Sequence, residues 1–75
     1  MEIALTQGLS PQKKLGRSIR LARIALDLSQ TNLAMQLNCS QYLISAFERG
    51  ESVPDYLMMQ AIAKVLQQPI EYFEV

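Results

Sequence analysis

Apolar side chains recur every three or four residues in four successive stretches of the chain, and each stretch opens beside a serine or a proline. Leu15, Ile19, Ala22 and Leu26 form the first stripe, behind Ser10 as an N-cap and Pro11 in the first turn. This spacing gathers the apolar set on one side and predicts a helix over about 11–26. Asp27, Leu28 and Ser29 break the stripe. Ser29 then caps a second helix, about 30–37, whose apolar set is Leu33, Ala34 and Leu37. Asn38-Cys39-Ser40 reads as a short turn, because asparagine tolerates the left-handed conformation and Ser40 can cap a further helix. That third helix, about 41–48, carries Ile44 and Phe47. Gly50 suits its stop, and Glu51-Ser52-Val53 makes a loop up to Pro54. Met58, Met59, Ile62, Ala63, Val65 and Leu66 mark a fourth helix, about 55–67, and Pro69 opens a short fifth piece with Ile70, Tyr72 and Phe73. Ile3, Leu5 and Leu9 alternate as a strand would, but a lone strand has no edge to pair with in a helical chain. The pattern therefore predicts an all-α domain of five short helices over residues 11–75, with residues 1–10 as an N-terminal arm or tail.

The polar residues between these stripes raise a different question. From Leu28 to Gly50 there is one acid and one base, Glu48 and Arg49, at the far end, and the rest of the polar set is glutamine, asparagine, serine, threonine and tyrosine. With Leu37, Ile44 and Phe47 buried between the second and third helices, Gln41, Tyr42 and Ser45 fall on the opposite side of the third. Gln30 joins them from the start of the second. Ala34 stands where two steeply angled helices must touch, a position that only a small side chain fills. An outward face of uncharged donors and acceptors suits the edges of bases, since an amide offers both groups at once and a hydroxyl can meet several bases.

Composition narrows the classes. At 75 residues, 49% hydrophobic and 19% charged, the sequence suits one small globular domain and no disordered one. No apolar run approaches the roughly 18 residues a membrane span needs. MEIALTQGLSPQ lacks the continuous apolar stretch of a secretory leader, so the expected compartment is the cytoplasm. A single cysteine and no histidine argue against an internal disulfide, a zinc site or a thiol nucleophile. No paired carboxylates or phosphate loop point to an enzyme, and no cofactor, metal or small-molecule ligand is expected. Seven basic and seven acidic residues cancel.

The run Gln30, Leu33-Ala34, Leu37, Asn38, Gln41, Ile44, Phe47 and Glu48-Arg49-Gly50 resembles the helix-turn-helix of the phage repressor and Cro family, the XRE-type regulators. The likeness extends from Ile19 to Phe73, taking in Arg23, Ile62-Ala63, Leu66 and Pro69-Ile70-Glu71-Tyr72-Phe73. It implies a lambda-repressor-like fold and a sequence-specific regulator of double-stranded DNA, binding a palindromic operator as a homodimer. It implies further that the third helix reads bases through Ser40, Gln41, Tyr42 and Ser45, and that Gln30, Arg17, Lys14 and Arg49 meet the DNA backbone. Arg23 and Glu48 would form a partly buried structural ion pair, and Tyr72 and Phe73, with the exposed part of the fourth helix, would supply the dimer contact. Phage switch proteins, restriction-modification controllers and antitoxins share this build.

Other readings bear on the same residues. Tyr42 and Leu43 could anchor a protein partner, which makes a protein-binding helix-turn-helix scaffold the alternative function. Leu21 and Ile24 lie off the first stripe and are expected against the N-terminal arm, while Met35, Met58 and Met59 are expected as core filler and Cys39 as a packed thiol. Three departures from the family pattern stand out. Glu51 and Asp55 flank the loop where such repressors often carry phosphate-binding cations. The basic residues gather instead on the first helix, as Lys13, Lys14, Arg17 and Arg20. Gln67 occupies a helix end the family commonly gives to glycine.

Overall fold

The computed structural model describes residues 9–73, in which four short side chains start the helices. Ser10, Ser29, Ser40 and Asp55 each accept a hydrogen bond from the backbone N–H three residues on, at 3.2, 2.9, 3.1 and 2.8 Å. These caps open α1 (Pro11–Ala25), α2 (Gln30–Leu37), α3 (Gln41–Arg49) and α4 (Tyr56–Val65). Each satisfies a donor that a helix start leaves without an intrahelical partner, an effect of about 1 kcal/mol. At Ser29 the cap is reciprocal, because Asn32 Oδ1 accepts from the Ser29 N–H at 3.4 Å.

The four helix ends also share one construction. Asp27, Asn38, Gly50 and Gln67 have φ of 59°, 56°, 75° and 61°. The N–H of the next residue then donates to the carbonyl five residues back: Leu28 to Arg23, Cys39 to Ala34, Glu51 to Ala46 and Gln68 to Ala63. This left-handed exit satisfies carbonyls that would otherwise be orphaned at the helix end. Glycine enters it freely, whereas Gln67 does so against a steric cost of about 1 kcal/mol or more.

Three expectations need correction. The fifth piece is a single 3₁₀ turn, Ile70–Phe73, closed by the Tyr72 N–H on the Pro69 carbonyl at 2.9 Å, so the fold has four α-helices among the described residues. The fourth helix is shorter than 55–67, because Asp55 caps it from outside and left-handed Gln67 unwinds its end. Met35 is 72% exposed, since Leu33, Ala34 and Leu37 take the inner side of α2; Met59 does lie in the core and Met58 packs against it. The strand-like alternation at Ile3 and Leu5 lies outside the described residues.

Each helix sends one fully enclosed branched side chain to a common centre: Ile19, Leu33, Ile44 and Ile62 are all 0% exposed. Each such burial contributes roughly 1.5–3 kcal/mol of transfer free energy. Phe73 closes the same core at 3% exposed, which removes it from any contact surface and leaves only Tyr72 outward. The two rings meet edge to face, with centroids 5.0 Å apart.

The helices around Ala34 form the motif, and α1 sets how they sit. Gly16 of α1 is buried against the end of α3, where a β-carbon would overlap the carbonyl oxygens of Phe47 and Glu48. Gly16→Ala gains about 1 kcal/mol of helix propensity but forces two backbones apart, at about 2–3 kcal/mol, the upper part of the overpacking range, because both overlapped atoms belong to backbone. Calorimetry is expected to show a melting temperature lower by roughly 5–10 °C. An unchanged or higher value would mean that α1 and α3 do not press together here.

Candidate nucleic-acid interface

The site is built outward from one guanidinium. Arg23 near the end of α1 donates from Nε to Glu48 Oε2 at 2.6 Å and from Nη2 to Glu48 Oε1 at 3.0 Å. Its Nη1 donates to the Leu28 carbonyl at 2.7 Å, which ties down the corner between α1 and α2. The Arg23 and Glu48 side chains are 11% and 3% exposed. A planar fork against a carboxylate is the strong, directional form of ion pair, so the end of α3 is held in position and in rotation relative to α1.

Glu48 Oε1 also accepts from Gln30 Nε2 at 3.0 Å, and Gln30 Oε1 accepts from Gln41 Nε2 at 2.6 Å. The order of these bonds follows from charge. An ionised carboxylate can only accept, so Gln30 must turn its NH₂ inward and its oxygen outward. Gln41 must then give an N–H to that oxygen, and it keeps its own carbonyl and second N–H free on the exposed side. Gln30, expected to brace the DNA backbone, is thus engaged on both sides within the protein and orients Gln41.

The remaining predicted residues are placed unevenly. Tyr42 is 72% exposed, and Ser40 is exposed although its oxygen is occupied by the cap to Leu43. Ser45 is half-buried and accepts from Arg49 Nη1. The other edge of Arg49 is bidentate to Glu51, Nε to Oε2 at 3.0 Å and Nη2 to Oε1 at 2.9 Å. That guanidinium holds the Glu51 carboxyl below the usual carboxylate range, and the carboxylate in turn raises Arg49. Gln30, Ser45 and Arg49 line one shallow depression together with Arg20 and Arg23. Arg17 borders an adjoining cleft with Arg49, while half-buried Lys14 joins neither. The sequence pattern assigned no role to Arg20, although its i+3 spacing from Arg17 puts it on the same side of α1.

Leu43 is half-buried against the core, so it does not stand beside Tyr42 as an exposed anchor. Cys39 packs against the core too, and desolvation pushes its thiol above the ordinary value, away from the reactive thiolate. Among the described residues no cluster of histidine, cysteine, aspartate or glutamate could hold a metal ion, and no helix is long and apolar enough to cross a membrane.

Glu48→Ala strands the enclosed Arg23 charge and frees Gln30 at the same time. Its expected cost is about 3 kcal/mol, a fall of roughly 10–20 °C in melting temperature. A loss below about 0.5 kcal/mol would place the pair with ordinary solvated ones.

Comparison with known proteins agrees with this fold. The profile of the family described as Helix-turn-helix matches residues 19–73. An uncharacterized transcriptional regulator in the ATPase CF(0) region of Rhodospirillum rubrum is 38% identical over 58 residues, which are 77% of this chain and 54% of that protein. The chain thus spans about half the length of this relative. The crystal structure of the restriction-modification controller protein C.AhdI from Aeromonas hydrophila superposes with a TM-score of 0.79 at 24% identity, over 83% of this chain and 94% of that one. Apo-HppE superposes at 0.81 with 19% identity, covering 88% of this chain but 37% of the other. These two structures share the fold. With the profile over α1 to the 3₁₀ turn and the bacterial relative in agreement, the chain belongs to the XRE-type helix-turn-helix family, with α2 and α3 as its motif.

Proposed function

We propose that this chain is a DNA-binding transcriptional regulator that reads a palindromic operator as a homodimer, with α3 in the major groove. The observation that carries the reading is the relay from Glu48 through Gln30 to Gln41. It leaves an oriented amide on the exposed side of α3, with one acceptor and one donor, the complement of the adenine N6 and N7 edge. Tyr42 and the Ser40 hydroxyl flank that amide, and Ser45 lies one turn further along. Arg49 and Arg17 approach the backbone at the C-terminal end of α3, and the second N–H of Gln30 supports them from α2. The protein acts in the cytoplasm and carries out no chemistry on its ligand.

The homodimer draws support from the opposite side of the motif. Val53 and Leu57, 55% and 75% exposed, border an apolar groove between α3 and α4 floored by Leu37, Leu43 and Phe47. Exposed apolar side chains beside one groove offer surface that a protein partner can cover. Half-sites about 34 Å apart require two recognition helices on one face of the duplex, and a second subunit seated at this groove is the proposed source of the other helix. The same groove is what favours the protein-scaffold reading, in which partner binding replaces DNA binding.

Selection from a random-sequence duplex pool separates the two. The DNA reading expects an enriched inverted repeat, and expects Gln41→Ala to lower discrimination at one base pair of each half-site by about 10- to 100-fold, equivalent to 1–3 kcal/mol. A pool with no enriched repeat would contradict it and favour the scaffold.

A further inference from the structure

Glu51 stands just past α3, where the family pattern favours a cation, and its position is closely fixed. Its own N–H donates to the Ala46 carbonyl at 2.9 Å across left-handed Gly50, which folds the chain back beside the end of α3. Glu51 Oε1 and Oε2 then accept from the two N–H groups on one edge of Arg49, at 2.9 and 3.0 Å. The Nη1 of the same guanidinium reaches one turn back along α3 and donates to Ser45 Oγ. Arg49 first, and Lys13 after it, hold the Glu51 carboxyl below the usual carboxylate range, so at neutral pH it can only accept. Polarity therefore runs one way, from carboxylate through guanidinium to hydroxyl.

Arg49 has no acceptor to offer, so Ser45 must meet it with its oxygen and keep its own hydrogen for another partner. Among the described residues no protein group takes that hydrogen. Ser45 lies in the shallow depression beside Gln30, one turn from Gln41 on the same side of α3.

We infer that Glu51 is a positioning residue for base reading: through Arg49 it makes the Ser45 hydroxyl an outward donor, which requires a base with a major-groove acceptor opposite Ser45 in each half-site. The inference rests on the DNA reading above and gives a task to an acid outside the motif. Guanine, adenine and thymine present such acceptors at N7, O6 or O4, whereas cytosine presents only its N4 donor and is rejected there. A free serine hydroxyl would rotate to suit either, so the selectivity comes from the clamp. Glu51 acts on charge as well. A guanidinium tied along one edge to a carboxylate draws phosphate less, although two of its five N–H groups remain for the DNA backbone. The Arg49 and Glu51 side chains are 47% and 59% exposed, and a pair so open to water serves orientation more than stability.

The test compares the wild type, Ser45→Ala and Glu51→Ala on the selected duplex, on duplexes with each base pair of the half-site replaced in turn, and on a random duplex over a salt series. Thermal melts check that both variants are folded. Ser45→Ala is expected to flatten the preference at one base pair by about 3- to 10-fold, the worth of a single hydrogen bond. Glu51→Ala is expected to flatten the same pair to a similar extent and to leave the pair read by Gln41 unchanged. It is also expected to steepen the salt slope on the random duplex by about 0.9 per bound subunit, as the freed Arg49 takes a phosphate. Full discrimination at the Ser45 pair in Glu51→Ala, or a selected duplex in which no pair answers to Ser45→Ala, would overturn the positioning role and leave the DNA reading standing. Equal weakening by Glu51→Ala on every duplex at an unchanged slope would show that Glu51 only supports the fold, and would overturn the role too. A wild type that selects no duplex would overturn both.

Discussion

A charge removed from water must be met on every side, and the Arg23–Glu48 pair meets that condition within one small cluster. Both oxygens of Glu48 accept bonds, Oε2 from Arg23 Nε and Oε1 from Arg23 Nη2 and Gln30 Nε2. The remaining arm of Arg23 is taken up by the Leu28 carbonyl. Apolar packing around Ile19, Leu33, Ile44 and Ile62 supplies most of the free energy, but such contacts are non-directional and tolerate small rotations. A fork against a carboxylate does not tolerate them. The pair therefore contributes angle more than stability, and the angle it sets is that of α3 against α1. Gly16 contributes to the same constraint by letting the α1 backbone lie on the last carbonyls of α3.

The same pair reaches the surface through polarity. Because Glu48 can only accept, the direction of each amide in Gln30 and Gln41 is set by it, and no other charge is needed at the exposed end. Acids that look hostile to DNA in the sequence have internal partners: Glu51 on Arg49 and Asp55 on the Met58 N–H that starts α4. A formal charge of zero then conceals a division, with the cations on α1 and neutral readers on α3. In the proposed DNA reading, sequence is read by the uncharged groups of α3, while salt acts on the contacts of cations with phosphate.

Much of the fold was legible in the residues. Ser10, Ser29 and Ser40 announced three helix starts, and Asn38 and Gly50 two of the left-handed exits, because those side chains have specific local bonding. Gln67 takes the same exit although its side chain has no local preference for it, and Asp27, whose side chain tolerates that conformation, was read only as a break in the first stripe. The pattern began the fourth helix at Asp55, but Asp55 caps it from outside, so the helix starts one residue later. Phe73 and Met35 exchanged places with expectation, since a three-residue spacing does not say which side of a terminal turn meets the core. In the candidate site, Gln30 and Gln41 could be named from the sequence, but their mutual bond could not. It depends on Glu48, which lies eighteen residues beyond Gln30 and is brought back by the packing of α1 on α3. The close approach at Gly16 was missed for the same reason, as one glycine in a helix carries no mark of what will lie against it.

If Gln30 serves DNA recognition by orienting Gln41, the two side chains must be coupled in binding, and a double-mutant cycle on the selected duplex measures that coupling most directly. Affinities of Gln30→Ala, Gln41→Ala and the double variant are compared with the wild type. Orientation through the shared bond predicts that the double variant loses little more than Gln41→Ala alone, a coupling of about 1 kcal/mol or more. Losses that add to within about 0.3–0.5 kcal/mol would show that the two glutamines act independently and would contradict the orienting role of Gln30.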